Sequence, residues 1–258
     1  METDTQKKDT RVKYLLGVAS GKGGVGKSTV TVLLAQTAVA QGLNVGILDA
    51  DITGPSIPRL LGAPDLRAEM EDGKILPPKT DEGIKLLSIN LLLEDERTPV
   101  IWRGPLLSKA IEQFWNDTDW GDLDLLLVDF PPGTSDVMLT ALQSLPMKGM
   151  IFVVTPMDFV SMIVYKSIQM SAKLGVPIVG FVENMGKGIC PHCHKEFPLF
   201  ASEEAERALK RLSIPRLGSI PWSRELVVSE QVTSALLPKE ITLELEGIFQ
   251  QIVTHVSA

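Results

Sequence analysis

Residues 21–28 read Gly-Lys-Gly-Gly-Val-Gly-Lys-Ser, and Gly21, Gly26, Lys27 and Ser28 satisfy the spacing G-x-x-x-x-G-K-S/T of a phosphate loop. Without Cβ atoms, Gly21, Gly23, Gly24 and Gly26 let the backbone N–H groups around Val25 turn inward on phosphate oxygens. A helix opening near Ser28 and Thr29 adds the positive end of its dipole. Lys27 suits the β- and γ-phosphates, and the Ser28 hydroxyl suits Mg²⁺. The motif predicts a nucleotide site. Lys22 is the unusual member. On the outer side of the loop it is poorly placed for its own γ-phosphate. It is either a solvated lysine or a cation that reaches a phosphate on a second subunit, as an arginine finger does in trans.

Three acids stand where such a site needs them. Asp129 closes an apolar run and precedes Pro-Pro-Gly, so it can hold Mg²⁺ directly or through water, unless it only caps the next helix. Gly133 lets backbone approach the γ-phosphate and move when it leaves. Asp49 and Asp51 lie two apart, and an extended backbone would point both to one side. Side by side they repel without a metal, so Mg²⁺ is part of the expectation.

Both cysteines fall in one CxxC, Cys190 and Cys193. Two thiolates are half of a tetrahedral site. One chain cannot complete a set of four sulfurs, but two pairs meeting on a twofold axis can. Lys22 acting in trans would need the same dimer. By ligand chemistry zinc fits four sulfurs as well as an iron–sulfur cluster does. His192 and His194 leave open a Cys/His zinc site within one subunit.

The elements that must position these groups follow from apolar periodicity. Strands are predicted over Tyr14–Ala19, Val45–Leu48, Lys85–Ile89, Leu123–Val128, Met150–Val154, Ile178–Val182 and Arg216–Ile220. Helices are predicted over Ser28–Gln41, Leu106–Trp115, Phe159–Leu174, Ser202–Leu212 and Glu240–His255. Residues 63–84 read as an irregular excursion. Continuous apolar strands alternating with helices mean a mostly parallel, doubly wound α/β sheet covered on both faces. The chemical motifs fall just after strands, where such sheets bind ligands. The expectation is one domain over 13–258, with a CxxC insertion around 187–200 and a frayed segment over 1–12.

The chain has 258 residues, 44% apolar content and a net charge of −7. Acidic and without Lys/Arg runs, it is a poor candidate for nucleic acid or anionic membranes. No segment reaches the roughly 18 uninterrupted apolar residues of a membrane span. The N-terminal residues lack the apolar core of a signal peptide, so a cytoplasmic protein is expected. A paired CxxC in a reducing compartment argues for metal or redox chemistry.

Lys22-Gly23-Gly24-Val25-Gly26-Lys27-Ser28-Thr29 resembles the deviant Walker A motif of the MinD/ParA/nitrogenase iron-protein superclass. Within it, Asp49-Ala50-Asp51-Ile52-Thr53-Gly54-Pro55-Ser56, Trp102-Arg103-Gly104-Pro105, Asp129-Phe130-Pro131-Pro132-Gly133-Thr134, Val182-Glu183-Asn184-Met185 and the CxxC resemble the Mrp/ApbC family of iron–sulfur cluster carrier ATPases. The resemblance implies a P-loop ATPase whose Lys22 acts across a nucleotide-sandwich homodimer. It implies that Asp51 orients or deprotonates the attacking water while Asp49 sits nearer the metal. It implies that Asn184 reads the adenine edge, with backbone near Pro221 closing the pocket. It implies a 4Fe–4S cluster bridging two subunits through Cys190 and Cys193, and apoprotein recipients and a scaffold as partners. No role is assigned to Trp102-Arg103-Gly104-Pro105.

Some stretches depart from the family. Phe200-Ala201-Ser202-Glu203-Glu204 stands where relatives carry a glycine-rich stretch, and the helix near Ile163 lacks a usual acidic residue. The four-cysteine N-terminal extension of eukaryotic relatives is not expected. The rival function is a MinD/ParA-like spatial organiser with a structural zinc or empty CxxC. Against it, the tail Glu240-Ile-Thr-Leu-Glu-Leu-Glu reads as an acidic core-packing helix, not a basic membrane helix.

Overall fold

Apolar strands without a polar face have to be covered on both sides, and the sheet order shows how. The computed structural model describes residues 11–52, 54–92, 105–156, 162–190, 192–193, 195–199, 214–223, 226 and 231–257. Strand β1 (Arg11–Ser20) pairs in parallel with β6 (Asp122–Asp129) on one side and β7 (Gly149–Val154) on the other. Beyond β6 lie β2 (Val45–Asp49) and β5 (Lys85–Leu87), and beyond β7 lie β8 (Ile178–Ile189) and β10 (Arg216–Trp222). Among the described residues only β9 (Glu196–Pro198) runs antiparallel in this sheet, paired to the far end of β8.

Alternation divides the strands between two cores. Leu15, Ala19, Met150 and Phe152 face a core shared with α3 (Pro105–Asn116), α4 (Asp136–Ser144) and α5 (Met162–Lys173). Leu16, Val18, Ile151 and Val153 face a core shared with α1 (Lys27–Ala40), α2 (Ile57–Leu60) and α6 (Lys239–Ser257). The result is the doubly wound, mostly parallel α/β sheet that the sequence predicts. Helix α6 buries Ile241, Leu245, Ile248, Phe249 and Ile252. At roughly 1.5–3 kcal/mol per buried side chain, that apolar face is committed to the core.

Several elements differ from the sequence expectation. The excursion over 63–84 contains a hairpin, β3 (Glu69–Glu71) and β4 (Lys74–Leu76). Its two-residue turn, Asp72 at φ 49° and Gly73 at φ 77°, has the left-handed pair that a twisted hairpin favours. The helix α4 is an addition. Ser135 caps it, its Oγ accepting from the Met138 N–H at 3.2 Å, and Val137, Met138, Ala141 and Leu142 are buried. Strand β8 runs seven residues past the predicted end at Val182, because its polar second half pairs with β9. Strand β5 stops at Leu87, and a 3₁₀ turn over Ile89–Leu92 replaces its predicted end. β1 begins at Arg11, paired with Asp122, so residues 11 and 12 belong to the sheet and not to the frayed segment. The predicted helix Ser202–Leu212, Trp102-Arg103-Gly104, Thr53 and the start of the predicted helix at Phe159 lie outside the described residues.

Candidate nucleotide site and thiol ribbon

The parallel sheet brings the C-terminal ends of β1, β2 and β6 side by side. β1 ends at Ser20 and enters the loop, while Asp49 and Asp129, the last residues of β2 and β6, are paired in register. Both carboxylates are fully buried. Helix α1 opens at Lys27 behind Gly26, which sits at φ 80° and gives no side-chain cap. Its first N–H groups are therefore left for a ligand. Gly26 is required twice over, because a Cβ there would also meet Asn184 Nδ2 at 2.2 Å. Gly21 is buried, and a Cβ there would strike Val164 of α5 at 2.4 Å. Lys22, Gly23 and Gly24 are exposed, Val25 is buried, and Ser28 and Thr29 are half-buried.

Around Asp129 the donors are dense. Lys27 Nζ and Ser28 Oγ each donate to Asp129 Oδ2 at 2.6 Å. Thr31 Oγ1 donates to Asp129 Oδ1 at 2.7 Å. Ser88 Oγ donates to Asp49 Oδ2 at 3.1 Å. Burial first, and the Asp129 charge second, push the Asp49 carboxyl up to about 8, against the opposing pull of Lys27. Two buried acids facing each other cannot both ionise cheaply without a cation. The hydroxyl of Ser28 and the carboxylate of Asp129 are a hard-oxygen pair of the kind Mg²⁺ takes.

The extended backbone assumed for Asp49 and Asp51 stops at Asp49. Asp49 Oδ1 instead accepts the Asp51 N–H at 3.2 Å, and Asp51 is half-buried beside Gly54. Gly133, at φ 81°, donates its N–H to Ser20 O at 2.8 Å, which ties the turn after β6 to the root of the phosphate loop.

Next to the loop opens a cavity of about 230 Å³, lined by Gly24, Gly26, Thr29, Asn184, Pro221 and Ser223, among others. The structure thus brings Asn184 and Pro221 together beside the phosphate loop. Asn184 Nδ2 donates to Val25 O at 2.9 Å, so part of its amide braces the loop itself. Ser223 Oγ is buried without a hydrogen-bond partner among the described residues. An orphaned hydroxyl at a cavity next to a phosphate loop fits a polar ligand there.

The thiols lie just past the far end of β8. The end of β8 pairs with β9 as a two-stranded ribbon, and Cys190 N donates to Lys195 O at 3.0 Å, closing its turn. Cys190 is half-buried, Cys193 is exposed, and both are free. Backbone hydrogen bonds from Cys193 and then His192 hold the Cys190 thiol below its ordinary value, which favours the thiolate that binds soft metals. Among the described residues no group of three or more His, Cys, Asp or Glu side chains could hold a metal. One chain supplies two thiols to such a site. His194, a member of the alternative single-subunit site, lies outside the described residues.

Sequence reasoning missed Thr31, Ser88 and Ser223. Thr31 carried a usable signal, since four residues after Lys27 on a helix places both on one face. Ser88 and Ser223 follow strand ends with no local mark.

Comparison with known proteins places this geometry. The family model ParA, described as NUBPL iron-transfer P-loop NTPase, matches residues 11–257. The iron-sulfur cluster carrier protein of Clostridium perfringens is 46% identical over 222 residues, covering 83% of this chain and 78% of its own. A nucleotide-binding protein from Archaeoglobus fulgidus, solved in complex with ADP, superposes at a TM-score of 0.73 with 35% identity, over 93% of this chain and 88% of that one. The cell division ATPase MinD of Pyrococcus furiosus shares the fold, with a TM-score of 0.68 and 22% identity over 94% of this chain and 99% of its own. The chain belongs to the ParA/NUBPL family of iron-transfer P-loop NTPases, among the iron–sulfur cluster carriers.

Proposed function

We propose that the protein is a homodimeric, slowly hydrolysing ATPase that holds a labile iron–sulfur cluster at CxxC pairs shared by two subunits and passes it to apoproteins. The observation that carries this reading is the path of β8. One strand bears Asn184 against the phosphate loop and ends at Ile189, the residue before Cys190, so one element leads from the nucleotide cavity to the thiols.

In this reading the loop N–H groups from Gly21 to Ser28 hold the phosphates, and incoming phosphate draws Lys27 away from Asp129. Ser28 and Asp129 would hold Mg²⁺, and the metal, when bound, would offset charge on the phosphates. Asp49, paired in register with Asp129, adds a second carboxylate to the site. Asp51 orients or deprotonates the attacking water. Gly133 offers backbone to the γ-phosphate and swings when it leaves. Lys22 reaches the nucleotide of the second subunit. Asn184 and the backbone at Pro221 hold adenine, an assignment that rests on the family.

The cargo is a 4Fe–4S cluster on four thiolates, two from each copy, with zinc as the alternative occupant. Its partners are apoprotein recipients and a scaffold, in the cytoplasm, without nucleic acid or membrane. The acidic net charge and the core-bound apolar face of α6 support the last point. Among the described residues no helix is long and apolar enough to cross a membrane.

Anaerobic reconstitution tests the carrier reading, with iron, sulfide and zinc counted beside the Cys190→Ser/Cys193→Ser variant. The expected result is a broad band near 400 nm and about four irons per dimer, lost in the variant. Stoichiometric zinc or no metal would leave an ATPase switch of the MinD/ParA kind with a structural or empty CxxC.

A further inference from the structure

We propose that Thr31 is a metal-positioning residue, which fixes the Asp129 carboxylate so that one chosen oxygen faces the Mg²⁺ held with the nucleotide. The inference rests on the ATP-binding reading above and deepens it.

Asp129 has two oxygens with different duties. Oδ2 accepts from both Lys27 Nζ and Ser28 Oγ at 2.6 Å, and it lies on the side where phosphate and metal arrive. Oδ1 accepts from Thr31 Oγ1 at 2.7 Å, inside the protein. Thr31 is fully buried, so water cannot replace it. Its hydroxyl also lies 3.0 Å from Lys27 O. A hydroxyl has one proton, and the shorter contact to a charged acceptor takes it.

The arrangement matters when nucleotide binds. Lys27 then leaves Oδ2 for phosphate, and Ser28 turns to the metal. Both donors that held Oδ2 are gone at the moment its direction counts. The side chain of Asp129 would be free to rotate about χ2, a broad and soft torsion. Thr31 sits on α1 and does not bind phosphate, so its hold on Oδ1 persists through the exchange. The carboxylate keeps its plane and presents Oδ2 to the metal or its water. Thr31 does not itself touch the metal or the nucleotide.

The experiment compares wild-type protein with Thr31→Val, which keeps the shape and removes the donor, and Thr31→Ser, which keeps the donor. ADP affinity is measured by calorimetry in EDTA and again at saturating Mg²⁺. The readout is the ratio of the two affinities, which a purely structural role would leave alone. In Thr31→Val the Mg²⁺-dependent gain should fall about tenfold, as loss of one hydrogen bond to a charged group implies. Affinity in EDTA should stay within about twofold by the same reasoning, since no phosphate contact is lost. Thr31→Ser should restore the gain. Thr31→Cys, with only a weak donor, is measured alongside, so the comparison survives if the valine variant fails to fold.

An unchanged ratio in Thr31→Val and Thr31→Cys overturns the proposal, as does an equal loss with and without Mg²⁺. Wild-type protein that binds no ADP overturns the ATPase reading instead, and the two failures are separate.

Discussion

The phosphate site and the thiol ribbon lie on the same sheet and differ in how far one chain completes them. At the phosphate site Lys27, Asp49 and Asp129 are buried, and hydroxyls from Ser28, Thr31 and Ser88 hold the acids. At the ribbon two thiols stand at a turn, one of them exposed. Preorganised polar groups in a buried site cost stability and are worthwhile where geometry must be fixed before the ligand arrives. In the proposed carrier reading, soft sulfur ligands that must give up their cargo gain from the opposite arrangement. Lys22 belongs to the second kind although it sits in the loop of the first, since it is exposed while Lys27 of the same loop is buried. In the proposed reading both exposed features await a second copy of the chain.

The sharpest way to break that comparison is Lys22→Ala. If Lys22 serves a nucleotide on the partner, hydrolysis should fall by roughly 10³-fold, the scale of a cation supplied in trans. ADP affinity measured at low protein concentration should be nearly unchanged. Single-turnover hydrolysis with parallel calorimetry checks both. Normal turnover would place Lys22 among ordinary surface lysines and leave only the thiols asking for a dimer.

The buried acids of the phosphate site also make stability depend on pH. In the folded chain the Asp49 carboxyl keeps its proton up to about 8, because of burial and then the Asp129 charge, against 3.8 as its ordinary value. Between those limits the folded state binds the extra proton, so stability falls as pH rises. The stabilisation is fully present below 3.8 and lost as pH climbs through about 8. Melting of the nucleotide-free protein in EDTA should therefore move to lower temperature between about pH 4 and about pH 8 and level off above that. Asp49→Asn, neutral throughout, should flatten the dependence. A level wild-type profile would mean that Lys27 already balances both acids.

How much of this was legible in the chain follows the same division. The phosphate loop, the strand-end acids and the CxxC are short-range patterns, each fixed by a spacing that one mechanism demands. Asn184 and Pro221 were assigned to one pocket from the family resemblance, and the fold brings them to one cavity. What escaped depends on pairing across distance. The second half of β8, Glu183-Asn184-Met185-Gly186-Lys187-Gly188, has no apolar run; it is a strand only because β10 and then β9 lie beside it. Ser88 has no mark until β5 carries it next to Asp49. The β3–β4 turn was different: Asp72-Gly73 announced it, and the surrounding charge obscured the signal.

The smallest expected effect tests whether the ribbon is as loosely held as it looks. Lys187 joins it to Glu196 at 2.7 Å and to Glu244 of α6 at 3.6 Å. These side chains are 27%, 54% and 40% exposed, so water and salt screen both pairs. Lys187→Met should cost no more than about 1 kcal/mol in chemical denaturation and leave ADP affinity unchanged. The β8–β9 backbone ladder and the ring of Phe197, seated where a Cβ on Gly188 would approach it at 2.8 Å, then still hold the ribbon. A loss of several kcal/mol would show that the ribbon is tied into the α6 core as firmly as the phosphate site, and the contrast between the two regions would fail on the side of stability.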